Sequence, residues 1–109
     1  MKESDILASI LDWLAAKRVL AFRMNTGAVM MDKRFVRFGT KGMADILAFP
    51  HMIDCDCAMP VWIEVKTRTG AQSLYQQSFQ KQVERDGHGY LICRSIDDLE
   101  RYMKLCFSI

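Results

Sequence analysis

Val61-Trp62-Ile63-Glu64-Val65-Lys66 is the stretch on which the fold turns. Val61, Ile63 and Val65 alternate with Trp62, Glu64 and Lys66, the two-residue period of a strand with one apolar face. Glu64 and Lys66 therefore leave the same face of that strand, with Trp62 beside them. Upstream, a glycine-punctuated turn ending in Gly42-Met43-Ala44-Asp45 opens a short hydrophobic strand, Asp45 to Phe49, stopped by Pro50. Asp45 and Glu64 are hard oxygen ligands of the kind that hold Mg²⁺. If the two strands are neighbours, two carboxylates and a lysine share one patch, the minimum equipment for metal-assisted phosphodiester hydrolysis.

Working outward, a helix is expected over residues 3 to 17, where Ile6, Leu7, Ile10, Leu11 and Leu14 recur at three-four spacing. Val19 to Met24 reads as a strand. Thr26-Gly27-Ala28 breaks it, and Met30 to Phe38 is expected as its hairpin partner. His51 to Pro60 is polar and irregular, a loop between adjacent strands. Ser73 and Gln76 have the S-x-x-Q spacing of a capping box, opening a helix that runs to Arg85. Gly87-His88-Gly89 interrupts the chain before a hydrophobic strand, Tyr90 to Cys93, and Ser95 caps a last helix ending near Leu105. Helix, several strands, helix, strand, helix describes an α/β fold, a mixed β-sheet flanked by helices.

The 109 residues leave room for one domain, 1–109, and no second core. Half are hydrophobic and 26% are charged, the balance of a soluble globular chain. No apolar run approaches the roughly 20 residues that span a bilayer, and the N-terminus lacks a signal-peptide pattern. A cytoplasmic location and no membrane partner are expected. A net charge of +2 does not by itself indicate nucleic-acid binding. Its placement matters more: Lys33, Arg34, Arg37 and Lys41 crowd one stretch with no acid after Asp32. With Arg23 and Asn25 they suit phosphate contacts that seat DNA over a metal. Any one of them also suits a solvated strand edge that blocks aggregation.

Of the four cysteines, Cys55 and Cys57 stand in a C-x-C pair and are expected in a reduced surface loop. A zinc site drawn from His51, Cys55 and Cys57 lacks the matched pairs that such sites usually show. Cys93 and Cys106, among apolar neighbours, read as buried thiols. Trp13 and Trp62 read as core.

A divalent cation would withdraw charge from a phosphoryl oxygen and lower the pKa of a bound water. Asp45, Glu64 and the carbonyl of Val65 can hold it, with waters completing the shell. Lys66 is then within reach of the attacking water and the scissile phosphate as a compact ammonium. The bland alternative is a solvated Glu64–Lys66 pair on an exposed strand. Against it, Trp62 shares their face and argues for burial, and buried charges seldom lack a partner or a function. Asp45, for its part, also suits a turn residue hydrogen-bonding the Gly42 backbone.

The order G-x-x-D, then E-x-K, resembles the PD-(D/E)xK nuclease superfamily. More narrowly, the chain resembles the virus-type replication-repair nuclease domain, VRR-NUC. The matching segments are Glu3-Ser4-Asp5, Phe22 to Ala28, Arg37 to Asp45, Trp62 to Thr67, Gly70, Ser73, Gln76 and Ser95 to Leu99, which cover essentially the whole chain in order. The resemblance implies a restriction-endonuclease-like core and DNA cleavage dependent on Mg²⁺ or Mn²⁺. It implies Asp45 and Glu64 as metal-binding acids, Lys66 as the catalytic lysine, and Glu3 as a first-helix acid that reaches the metal, often through water. Gln76 matches the glutamine of the following helix near the metal and the substrate phosphate, with Gln77 its neighbour. Ala44 departs from the pattern, standing where the family usually has proline. Glu3 equally suits a first-turn acid stabilising the helix dipole, and the capping box already accounts for Gln76.

Short members of the family resemble Holliday-junction resolvases that work as homodimers. Two copies about a two-fold axis would present two metal sites to two strands. The leading expectation is thus a structure-selective endonuclease acting on four-way junctions as a homodimer, with the Met30 to Phe38 hairpin, Met30-Met31 included, as the candidate interface. The alternatives are a nickase or flap endonuclease in phage or mobile-element replication, and a non-catalytic DNA-binding module.

Overall fold

In the computed structural model, which describes residues 1–24, 27–31, 34–38 and 40–109, the chain runs α1 (Glu3–Ala16), β1 (Leu20–Arg23), β2 (Gly27–Met31), β3 (Arg34–Phe38), β4 (Ile46–Phe49), β5 (Val61–Val65), α2 (Leu74–Arg85), β6 (Gly89–Cys93) and α3 (Ile96–Cys106). Four strands form a mixed sheet in the order β1-β4-β5-β6. β1, β4 and β5 pair antiparallel, and β5 pairs parallel with β6 across the α2 crossover. The α/β architecture with a mixed sheet and flanking helices is therefore as expected. Among the described residues no helix is long and apolar enough to cross a membrane.

One expectation fails. Residues 30–38 do not form a single strand paired with the 19–24 strand. β2 and β3 pair with each other in a separate two-stranded sheet, Met31 opposite Arg34 and Gly27 opposite Phe38. β1 instead takes β4 as its partner, with Leu20 opposite Phe49 and Arg23 opposite Ile46. The reason is physical. Apolar alternation specifies which face of a strand is buried, whereas partner choice depends on where the faces meet in three dimensions.

The alternation along β5 divides the packing. Ile46, Ala48, Val61, Ile63, Val65 and Cys93 send one face of the sheet against Ile6, Ile10 and Leu14 of α1 and Leu99 and Met103 of α3. These helix positions recur every four residues, so each helix buries a single stripe. On the opposite face, Trp62, Tyr90 and Ile92 meet Phe79 and Val83 of α2, with Trp62 and Phe79 edge to face at 5.0 Å between ring centroids. Trp62 also donates its indole N–H to His88 Nδ1 at 3.0 Å. α2 starts where its capping box dictates: Ser73 Oγ accepts from Gln76 N–H at 3.1 Å, and Gln76 Oε1 accepts from Ser73 N–H at 2.8 Å. The α2 face of the sheet is the one that carries the acidic residues.

Candidate active site

Because Val61, Ile63 and Val65 point into the α1–α3 core, Glu64 must emerge on the α2 face of β5. It is 0% exposed there, the one buried charged side chain among the described residues. Isolated carboxylates are expensive to bury, so its partners matter. The parallel register sets Trp62 opposite Tyr90 and Glu64 opposite Ile92, which makes Tyr90 the diagonal neighbour of Glu64 on the same face. Tyr90 donates its O–H to Glu64 Oε1. Gln72, in the segment before α2, donates Nε2–H to the same oxygen at 3.4 Å and to Gln80 Oε1 at 3.0 Å, and approaches Tyr90 Oη at 3.3 Å. Burial above all, then the hydrogen bond and negative charge of Glu64, push the Tyr90 phenol well above its ordinary value, so it remains a donor.

The other oxygen is treated differently. Glu64 Oε2 is buried and accepts no hydrogen bond. Lys66 Nζ stands 3.9 Å from it, on a side chain only 13% exposed. Tyr90 from β6, Gln72 from the segment before α2 and Lys66 just after β5 thus converge on one carboxylate, one oxygen of which accepts no hydrogen bond.

Asp45 closes the patch from the β4 side. The β4–β5 register pairs Ile46 with Ile63, and one further step along it sets Asp45 opposite Glu64. Asp45 Oδ2 accepts from Val65 N–H at 2.7 Å, and its backbone carbonyl accepts from Met24 N–H at 2.8 Å. The turn partner suggested for this side chain was the Gly42 backbone; the partner found is Val65, whose N–H lies beyond the end of the β4–β5 pairing. Gly42 has another duty. Its φ is +82°, and a Cβ there would run into the Tyr75 carbonyl, so the 40–45 turn rests directly on the start of α2. The 67–70 turn that joins Lys66 to Gln72 is held by Arg94, whose Nη1 donates to Thr67 O at 2.6 Å and Gly70 O at 2.7 Å.

The remaining candidates fall elsewhere. Gln76 spends its side chain on the capping box, and it is Gln72, with Gln80 behind it, that meets Glu64. Glu3 is exposed in the first turn of α1 and takes no part in the hydrogen bonds around Glu64. Arg23 is exposed at the edge of the sheet, and its pairing with Ile46 assigns it to the face opposite Asp45 and Glu64. Lys41 is exposed and stands over the Tyr75 ring, 3.8 Å from its centroid. Asn25 and Lys33 lie outside the described residues. Arg34 and Arg37 belong to β3 and Met30 and Met31 to β2, where the backbone pairing is described and the side chains are not.

Two cysteine expectations are corrected. Cys55 and Cys57 are joined in a disulfide with their Cα atoms 5.4 Å apart, a spacing suited to such a bridge, and bonded thiols cannot ligate zinc with His51. Cys106 is exposed at the end of α3, beside the buried Phe107, whereas Cys93 is buried as expected.

Compared with protein-family models, curated proteins and solved structures, the chain matches none. The weight therefore rests on the chemistry of the donors themselves. Among the described residues no three Asp, Glu, His or Cys side chains form a cage able to hold a metal ion. Mg²⁺ does not require one: it is commonly bound by one or two carboxylates and keeps several waters. A buried, unpartnered carboxylate oxygen costs about 1–3 kcal/mol or more until a donor or cation meets it. Glu64 Oε2 accepts no hydrogen bond and has the Lys66 ammonium 3.9 Å away; with Val65 and Asp45 alongside, it fits a small hard cation.

Proposed function

We propose that this chain is a Mg²⁺- or Mn²⁺-dependent endodeoxyribonuclease with a restriction-endonuclease-like core, of the VRR-NUC type within the PD-(D/E)xK superfamily. Its proposed substrate is branched DNA, four-way junctions first, cut by a homodimer in the cytoplasm of a bacterial or phage-infected cell. The observation that carries the proposal is Glu64 Oε2, buried without a hydrogen-bond donor beside Lys66, with Asp45 opposite Glu64 one step beyond the Ile46–Ile63 pair. The order of G-x-x-D and E-x-K along the chain supports the family.

Asp45, Glu64 and the carbonyl of Val65 would hold the ion, which when bound supplies a Lewis acid and an acidified water. Tyr90 and Gln72 occupy Oε1 and keep the carboxylate from rotating, which leaves Oε2 for the ion. Lys66 is restrained by its own partial burial and can donate to a phosphate oxygen or orient the attacking water. A well-placed ammonium of this kind stabilises charge that develops at the phosphorus centre. Arg94 fixes the turn between Lys66 and Gln72, so both arrive pre-oriented.

One observation favours the non-catalytic alternative, a DNA-binding module: Asp45 Oδ2 already serves Val65 N–H. A single experiment separates the two. Labelled four-way junction, flap, nicked and linear duplexes are incubated with Mg²⁺ or Mn²⁺ and either the wild-type chain or Lys66→Ala. Paired symmetric cuts in the junction, lost with Lys66→Ala, are expected. Cuts confined to flaps or nicks would retain the metal chemistry and discard the junction. Absence of metal-dependent cleavage with junction binding intact would refute the enzyme and leave the module.

A further inference from the structure

The first turn of α2 carries two large side chains that the fold does not use. Leu74 is 80% exposed and Tyr75 is 54% exposed. Tyr75 continues the stripe of Phe79 and Val83, but where those residues are buried against the sheet, Tyr75 overhangs it. Lys41 Nζ stands 3.8 Å from the centroid of its ring, and the first turn of α2 has no acidic residue to compete for that cation. An exposed aromatic with a lysine on its face pairs a flat apolar surface with a positive charge.

The position of this pair is fixed from both sides. Gly42, next to Lys41, packs so closely on the Tyr75 carbonyl that no other residue fits, and Asp45 follows three residues later. Gln72, three residues before Tyr75, bonds the Glu64 carboxylate. Lys41 is thus anchored to the segment that supplies Asp45, and Tyr75 to the segment whose Gln72 bonds Glu64, which sets the pair at the edge of the carboxylate patch.

We propose that Tyr75 and Lys41 form a stacking platform for an unpaired nucleotide at the edge of the carboxylate patch. The ring takes the base and the lysine the adjoining phosphate. A duplex offers this pair only its phosphates, because its bases are already stacked on one another. A frayed branch point, a flap or a single strand offers a free base face, and stacking of that kind is tolerant of sequence. The platform would select DNA with unpaired nucleotides next to the bond to be cut. As a statement of substrate class it rests on the nuclease proposal, although the binding itself does not require cleavage.

The test is equilibrium fluorescence anisotropy in EDTA, so that no chemistry intervenes, with a labelled single strand, a flap and a blunt duplex. The chains are wild type, Tyr75→Ala, Tyr75→Phe and Lys41→Gln. Tyr75→Ala is expected to weaken single-strand and flap binding about tenfold and blunt-duplex binding less than twofold, with Tyr75→Phe near wild type. Lys41→Gln should weaken all three DNAs and lower the salt dependence. Equal flap binding by Tyr75→Ala and wild type would overturn the platform, and so would an equal loss on the blunt duplex. A change in the sedimentation of Tyr75→Ala without DNA would also overturn it, by showing that the ring serves contact between copies. Tyr75-dependent flap binding by a chain that never cleaves would support the platform and defeat the nuclease proposal alone.

Discussion

Replacing Tyr90 by Phe removes one oxygen from the interior and leaves the ring in place against Phe79 and Val83. That oxygen is the main donor to Glu64 Oε1; without it, only Gln72 Nε2 at 3.4 Å remains on that side. Gln72 itself is not stranded, because Gln80 Oε1 still accepts from it at 3.0 Å. The loss is therefore one hydrogen bond to a fully buried carboxylate, about 2 kcal/mol for a charged acceptor. With a urea slope of roughly 1.3 kcal/mol/M for a chain of this size, the unfolding midpoint should fall by about 1.5 M at unchanged slope. The control is a double-mutant cycle with Glu64→Gln, where the two substitutions should cost less together than the sum of each alone by about 1 kcal/mol. A Tyr90→Phe cost below about 0.5 kcal/mol, or strict additivity in the cycle, would refute the idea that the phenol holds the carboxylate.

Gly42→Ala should destabilise by about 2 kcal/mol, since it combines a left-handed φ with a clash at the Tyr75 carbonyl; an unchanged melting temperature would contradict this. Arg94→Ala should cost about 2 kcal/mol and speed hydrogen exchange over 67–72, and Arg94→Lys should not restore it, because one ammonium cannot reproduce the guanidinium's reach to Thr67 and Gly70. The native chain should titrate one thiol with Ellman's reagent, Cys106, because Cys93 is buried and its thiol is pushed from 9.0 to about 11 chiefly by that burial. As the folded state binds that proton more tightly, the associated stability is whole below pH 9 and is lost as pH rises toward about 11, whereas Cys93→Ala should flatten that part of the pH profile.

Much of this could be anticipated from local pattern. The alternation from Val61 to Lys66, the glycine turn before Asp45 and the S-x-x-Q start of α2 each depend on neighbours in sequence, and each recurs in the structure. Asp45, Glu64 and Lys66 could be grouped in advance because they follow strand parity. Tyr90 and Gln72 could not. Tyr90 reaches Glu64 only through the parallel register of β5 and β6, which no local signal specifies. Gln72 was obscured by Gln76, whose spacing from Ser73 makes it the more visible glutamine even though that same spacing commits it to the cap. Gln80, next to the buried Phe79 of the inner α2 stripe, is the residue that bonds Gln72 there. The partner of β1 is not legible locally: nearness in sequence favours a hairpin, whereas β1 pairs with β4 across the intervening β2 and β3.

The parallel pairing of β5 and β6 also has a consequence for how the chain reaches this state. Two parallel strands cannot be joined by a tight turn, so Tyr90 meets Glu64 only after the whole α2 segment has crossed over. Until then the carboxylate stays hydrated, and such distant pairings form slowly because loop closure precedes any reward. A cation held by the finished site would find nothing to grip at the barrier, and so would retard unfolding while leaving the refolding rate nearly unchanged. Stopped-flow traces with and without Mn²⁺ would separate the two limbs, and faster refolding would disprove it. On this view the ion, under the proposal made above, sets how long the protein lasts once made and has little part in how fast it is made.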